Sequence, residues 1–267
     1  MTVTTTTGAS PVASPAGPPP AASYERLAAA YPALRIRCAP PRTGDGWTTG
    51  AALAADPAAL REMIDFDARA GERDYGTPLR PDVAAGFSLH RYLWPVALAF
   101  TLPWFLERRV PRLPADAVAI RRASGELRVR PVELTGLPDD PLAGTGLLRV
   151  VPDEAALRRT LLDALAEHLT PVVTAFRPTV RRGSRTLWGM ATDDVVEGLR
   201  FLGGLLGEED RAVAELAELL PGDGPAPFVG GAGFRCTGEM RTRTRVTCCL
   251  FYTVRPDEMC FTCPRKQ

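Results

Sequence analysis

The amino-acid sequence predicts one α+β domain, mainly helical with a β-hairpin region, and three patterns predict it. Leu157, Leu161, Leu165 and Leu169 fall four residues apart, as on a helix with one buried face. Within 117–134, Val118 and Ile120 alternate with smaller residues, Ser124-Gly125 supplies a turn, and Leu127 and Val129 alternate with arginines, which reads as a hairpin. No internal repeat or linker divides the chain. Its 267 residues are 45% hydrophobic and 24% charged, with Gly 24 and Pro 26, so it has the material for a folded core and not the composition of a low-complexity chain.

In order, residues 1–22 hold five Thr, five Ala and five Pro with no charge and no periodicity, and read as a disordered tail. Residues 23–267 form the single domain. Leu27, Tyr31 and Leu34 point to a first short helix. Asp56-Pro57, followed by Leu60, Met63 and Ile64, marks a capped second helix ending at Gly71. From Pro81 to Arg109 the chain is mostly apolar, which predicts a buried central helix kinked or broken at Pro95 and Pro103. After the hairpin, Pro152-Asp153-Glu154 opens the leucine helix, which runs to near Phe176. Another helix is expected from about Thr192, carrying Val195, Leu199, Leu202 and Leu206. A further one carries Val213, Leu216 and Leu220, before a Gly/Pro loop over 221–234.

Composition excludes several functions. With 32 basic and 31 acidic residues the net charge is +1, leaving no excess to neutralise phosphates, so nucleic acid is not an expected partner. The longest apolar run, Leu93–Leu106, is interrupted by two prolines and is shorter than the roughly 20 residues of a membrane span, so no transmembrane segment is expected. The N-terminus shows no basic-then-apolar leader pattern, which places the chain in the cytoplasm. Gly144-Thr-Gly146 lacks the third glycine of a dinucleotide fingerprint, so neither flavin nor nicotinamide is expected.

The chemistry is concentrated at the end. Four of the six cysteines, Cys248, Cys249, Cys260 and Cys263, lie in the last twenty residues. Four nearby sulfurs can hold zinc, hold an iron–sulfur cluster, or form disulfides, and a reducing compartment disfavours the last. Cys260 and Cys263 form a Cys-x-x-Cys turn that suits zinc, iron or thiol exchange alike. Cys248 and Cys249 are adjacent, and in a regular strand they would point to opposite faces. Both can serve one centre only where the backbone bulges or turns. A two-iron centre spreads its sulfur ligands over two metals and accepts such a pair more readily than zinc does.

Cys-Cys, ten residues, Cys, two residues, Cys, with an aromatic stretch after the first pair and Pro-Arg after the last, resembles the FhuF-type ferric siderophore reductases. The body resembles that family more loosely, and part of such a fold is shared with the C-terminal region of IucA/IucC-type siderophore synthetases, which lack the cysteine tail. The resemblance implies that Cys248, Cys249, Cys260 and Cys263 bind a 2Fe-2S cluster within a cluster-binding segment spanning 236–267. It also implies one-electron reduction of siderophore-bound Fe(III) with release of Fe(II), the electron coming from a separate ferredoxin or reductase. Siderophore oxygens are hard ligands that favour Fe(III), so reduction loosens the complex. Two other readings remain: a non-catalytic iron–sulfur carrier or sensor, and a siderophore-binding module with a structural zinc site.

Around the cysteines, Arg241, Arg243 and Arg245 alternate along an expected strand and line one face beside the cluster. They can tune its potential or attract an anionic chelate, or they can form a solvated strand face. Cys38 and Cys236 read as packed thiols outside the ligand set. His90 and His168 read as packed or partly exposed helix residues, and Trp94, Trp104 and Trp188 as core, the alternative being the lining of a siderophore pocket.

Overall fold

The computed structural model describes residues 20–237, 240–260 and 262–266, so the expected tail over 1–19 lies outside the described residues. Helix α1 (Ala21–Ala30) starts inside the expected tail and buries Tyr24 and Leu27. Strands β1 (Arg35–Cys38) and β2 (Trp47–Thr49), which carry no clear alternation, follow. Thr49 caps the short helix α2 (Gly50–Ala55) by accepting from the Ala52 amide, and Asp56 caps α3 (Pro57–Tyr75) by accepting from the Ala58 amide at 2.8 Å. Helix α3 does not stop at Gly71. There the glycine makes room for the Leu79 side chain, and the helix closes on Gly76, whose φ of +70° is the left-handed conformation glycine takes without strain.

Helix α4 (Pro81–Glu107) is apolar on all sides and therefore central, packed against α1, α3 and two later helices. Of the kink or break expected at Pro95 and Pro103, no break occurs: the helix is continuous through both. Pro103 has no N–H for the Ala99 carbonyl one turn back, and the Tyr24 hydroxyl donates to that carbonyl at 2.6 Å. The helix is thus repaired from outside.

Strand β3 (Val110–Arg112) leaves α4. The hairpin forms as expected from β4 (Val118–Arg121) and β5 (Glu126–Val129) around Gly125, but β6 (Glu133–Gly136) and β7 (Arg149–Val150) join β3 in a separate sheet ordered β3-β6-β7. The hairpin sits in a sheet ordered β1-β5-β4-β2, with β1 parallel to β5.

Asp153 caps α5 (Glu154–Val180) by accepting from the Ala156 amide at 2.7 Å. The four expected leucines are buried, each burial stabilising by roughly 1.5–3 kcal/mol. Helix α6 (Ser184–Leu205) starts eight residues before the expected Thr192, and α7 (Glu209–Leu219) completes the helical body. Strands β8 (Gly233–Thr237) and β9 (Met240–Thr244) form an antiparallel pair that leads into the cysteine segment. The architecture is α+β, with seven α-helices and three small sheets among the described residues. No described helix is long and apolar enough to cross a membrane.

The candidate iron–sulfur site

The cysteine segment is held by one helix face. Gly189, Asp193 and Glu197 lie four apart on α6 and share a stripe. Gly189 gives clearance, since a Cβ there would lie 2.6 Å from Thr247 Cγ2 and 3.1 Å from Val246 Cγ1. One turn on, the buried Asp193 carboxylate accepts from the Val246 amide at 2.8 Å, the Thr247 amide at 2.9 Å and the Thr247 hydroxyl at 2.6 Å. Arg243 Nη1 donates to Asp193 Oδ1 at 3.2 Å, and its Nε lies 2.5 Å from Glu197. A carboxylate serving consecutive backbone amides holds a turn as an N-cap holds a helix end.

Of the two readings of the arginine row, this attachment excludes the solvated strand face for Arg243 and Arg245. Strand β9 ends at Thr244. Arg243 is buried in its ion pairs, and Arg245 lies beyond the strand with its side chain 10% exposed, its Nε 3.8 Å from Asp193. Burial opposes the Arg245 cation, but Asp193 and then the Cys249 and Cys260 thiolates hold its pKa above the ordinary value. The side chains of Arg241 and Cys236 lie outside the described residues.

The chain bends at 246–247, so the Cys248–Cys249 pair sits in irregular backbone, as an adjacent pair serving one centre requires. Arg182 Nη1 donates to the Cys248 carbonyl at 3.3 Å. Leu250 takes a φ of +63°, turning the chain into a 3-10 turn over Phe251–Thr253 that Thr253 Oγ1 closes on the Leu250 carbonyl. The Cys-x-x-Cys turn closes through the Cys263 amide on the Cys260 carbonyl at 3.0 Å. Cys248, Cys249 and Cys260 are half-buried and Cys263 is buried; these and Cys38 are free thiols.

The Cys260 thiol feels the charge of both Cys249 and Cys263. Burial first, and then the charge of Cys249, push the Cys260 thiol up to about 11, with Arg245 pulling the other way. Among the described residues, no three Cys, His, Asp or Glu side chains are drawn together at the spacing of a single bound ion. The Cys249 and Cys260 sulfurs lie within the electrostatic reach of the Arg245 guanidinium, soft donors next to a balancing cation, which fits an iron–sulfur centre.

A family model described as the FhuF 2Fe-2S C-terminal domain matches residues 245–265. The cofactor of this segment is a 2Fe-2S cluster. All four cysteines fall inside the match, whereas the helical body lies outside it. No curated protein matches the chain.

Beside the cysteines is a cavity of about 400 Å3, bounded by Cys249 and Cys260 on one side and by α4 and α6 on the other. Tyr75, Phe87 and Phe251 surround it, with Tyr75 edge-on to Phe251 at 5.5 Å and to Phe87 at 6.5 Å. On its polar wall, His90 Nδ1 lies 2.5 Å from Asp194 Oδ1, the imidazole 42% exposed and the carboxyl buried. His168, by contrast, is wholly packed: its Nδ1–H donates to the Leu113 carbonyl and its Nε2 accepts from the Tyr92 hydroxyl. Trp104 and Trp188 are core residues, and Trp94 is partly buried against Tyr31 and Phe201. Asp193 and Asp194 carried no sequence signal, because a helix expected to start near Thr192 leaves out Gly189, and Asp194 meets His90 only across two helices.

Proposed function

We propose that the chain is a cytoplasmic ferric siderophore reductase that passes one electron to chelated Fe(III) so that Fe(II) leaves. The observation that carries this reading is that three of the four cysteines of the matched segment, Cys248, Cys249 and Cys260, are half-buried and not sealed in the core. A centre held there is open to a chelate too large to enter the fold. We assign all four cysteines as ligands.

The bound cluster supplies single-electron chemistry. The chain's own residues do the rest. Asp193 fixes the approach to Cys248, while the Arg245 guanidinium offsets negative charge on the Cys249 and Cys260 sulfurs. Such a cation raises the reduction potential, which limits the range of ferric complexes the protein can reduce, since each tenfold difference in affinity between the two iron states is worth about 59 mV for one electron. Arg243 and Arg245 act as tuning groups more than as chelate-attracting ones, because both are engaged by acidic residues of α6. For each turnover the protein loses one electron, Fe(III) gains it, and a ferredoxin or reductase restores it.

The test is anaerobic purification with iron, sulfide and zinc counted per chain, followed by mixing the reduced protein with ferric siderophores. About two irons and two sulfides, with reoxidation at a rate that depends on the chelate, support the reading. Reoxidation that is indifferent to every chelate indicates a carrier or sensor. Zinc without sulfide indicates a binding module.

A further inference from the structure

Gly86 lines the cavity beside Cys249 and Cys260 from the second turn of α4, and a Cβ built there would meet nothing within 4 Å. It differs from the glycines that are sterically required. At Gly189 and Gly71 a side chain would strike a neighbour, but at Gly86 the space beyond the backbone is open. Helical backbone disfavours glycine relative to almost any other residue, and no contact within the protein repays that choice here.

The walls have the makeup of a ligand site. Small-molecule sites run to about 300–1,000 Å3 and combine apolar rings with a few convergent polar groups. This one offers Phe87 and Phe251 together with His90, Arg91, Asp194 and Arg245. Asp194 is 1% exposed, and its Oδ2 has no hydrogen-bond partner among the described residues. Burial raises its carboxyl pKa, with Asp193 adding to the rise and His90 and Arg243 opposing it. Arg91 is tied to Asp67 at 3.0 Å and Arg245 to Asp193, so the cations of the wall are held from behind. A second cavity of about 280 Å3 shares His90 and Arg91 as its wall, leaving room along the surface for the rest of a large molecule.

We propose that this cavity binds the ferric chelate, admitting one bidentate oxygen-donor arm and the iron it holds, and that Gly86 keeps it open. This rests on the reductase reading and adds where the substrate sits. The cavity lies at the low end of ligand-site volumes and a cluster on Cys249 and Cys260 takes up its wall on that side, so a hexadentate chelate enters by one face, the remainder resting toward Trp94.

The experiment uses Ga(III), which matches Fe(III) in charge and closely in size but accepts no electron under these conditions. Oxidised holoprotein is titrated calorimetrically with the Ga(III) complexes of a tris-hydroxamate and of a tris-catecholate chelator. Wild type is expected to bind at least one of them. Gly86→Leu, and Gly86→Met as a more flexible plug, are expected to weaken that binding tenfold or more while leaving the visible and EPR spectra and the midpoint potential unchanged. Gly86→Ala stays within twofold of wild type. Binding by Gly86→Leu and Gly86→Met equal to wild type overturns the site, as does wild type that binds neither complex. Wild type that binds Ga(III) chelate, loses binding on plugging and yet reduces no ferric chelate leaves the site standing and removes the reductase reading.

Discussion

The Tyr24 hydroxyl of α1 donates at 2.6 Å to the Ala99 carbonyl of α4, the acceptor that Pro103 deprives of its helical donor. A buried carbonyl without a partner costs about 1–3 kcal/mol, so this single bond lets a proline stand inside the central helix. Tyr24→Phe is expected to lower unfolding free energy by that amount in urea denaturation. In a Pro103→Ala background, where residue 103 has an N–H to offer, the same change should cost much less. Equal losses in both backgrounds would separate the hydroxyl from the proline.

Asp193→Ala leaves two backbone amides, the Thr247 hydroxyl and the Arg243 guanidinium without their shared acceptor. Removing one partner of a buried ionic network costs about 3–5 kcal/mol, and here the cost falls on the attachment of the cysteine segment. Iron and sulfide per chain should drop severalfold while helical circular dichroism stays near that of wild type. Full iron loading in this variant would show that the segment holds itself.

Serine at Cys248, Cys249, Cys260 or Cys263 should bleach or destabilise the centre, whereas Cys38→Ser should leave iron content unchanged. Burial first, and then Glu107, push the Cys38 thiol up to about 11, so it also should alkylate slowly in the folded protein. Full colour in Cys249→Ser would direct attention to Cys236 as a replacement ligand.

Burial holds His168 neutral, with its pKa down to about 4 against 6.5 for a free imidazole. Above pH 6.5 neither folded nor unfolded chain protonates it. Between 6.5 and about 4 only the unfolded chain does, so stability declines as pH falls, by up to about 1.4 kcal/mol per pH unit. Urea unfolding of wild type and His168→Gln at pH 7.5, 6 and 5 isolates this slope. Parallel pH dependences for the two proteins would contradict it.

Local patterns made much of the fold legible. The Asp56-Pro57 and Asp153 caps, the leucine row of α5 and the β4–β5 hairpin each depend on neighbours a few residues apart. Strands β1 and β2 did not show, because their pairing with β5 and β4 is set by distant partners. That α4 would continue through Pro103 without a break did not show for the same reason, since the group that compensates Pro103 lies on α1. In the site, the cysteine spacing pointed to the cofactor through its resemblance to the FhuF-type pattern, but the anchoring role of Asp193 did not show, because it depends on the amides of Val246 and Thr247, far along the chain. Arg243 and Arg245 look solvated by alternation and become buried only once α6 supplies their acids.

The slot at Gly189 couples two distant stretches of the chain. Any side chain there displaces Thr247, and any change in the length or polarity of the 243–247 approach leaves Asp193 or Glu197 facing the wrong group. The stripe on α6 and the residues before the cysteines therefore work only as a matched pair, although the family model begins only at residue 245. Exchanging the tail between such proteins should succeed only when the matching face of α6 travels with it.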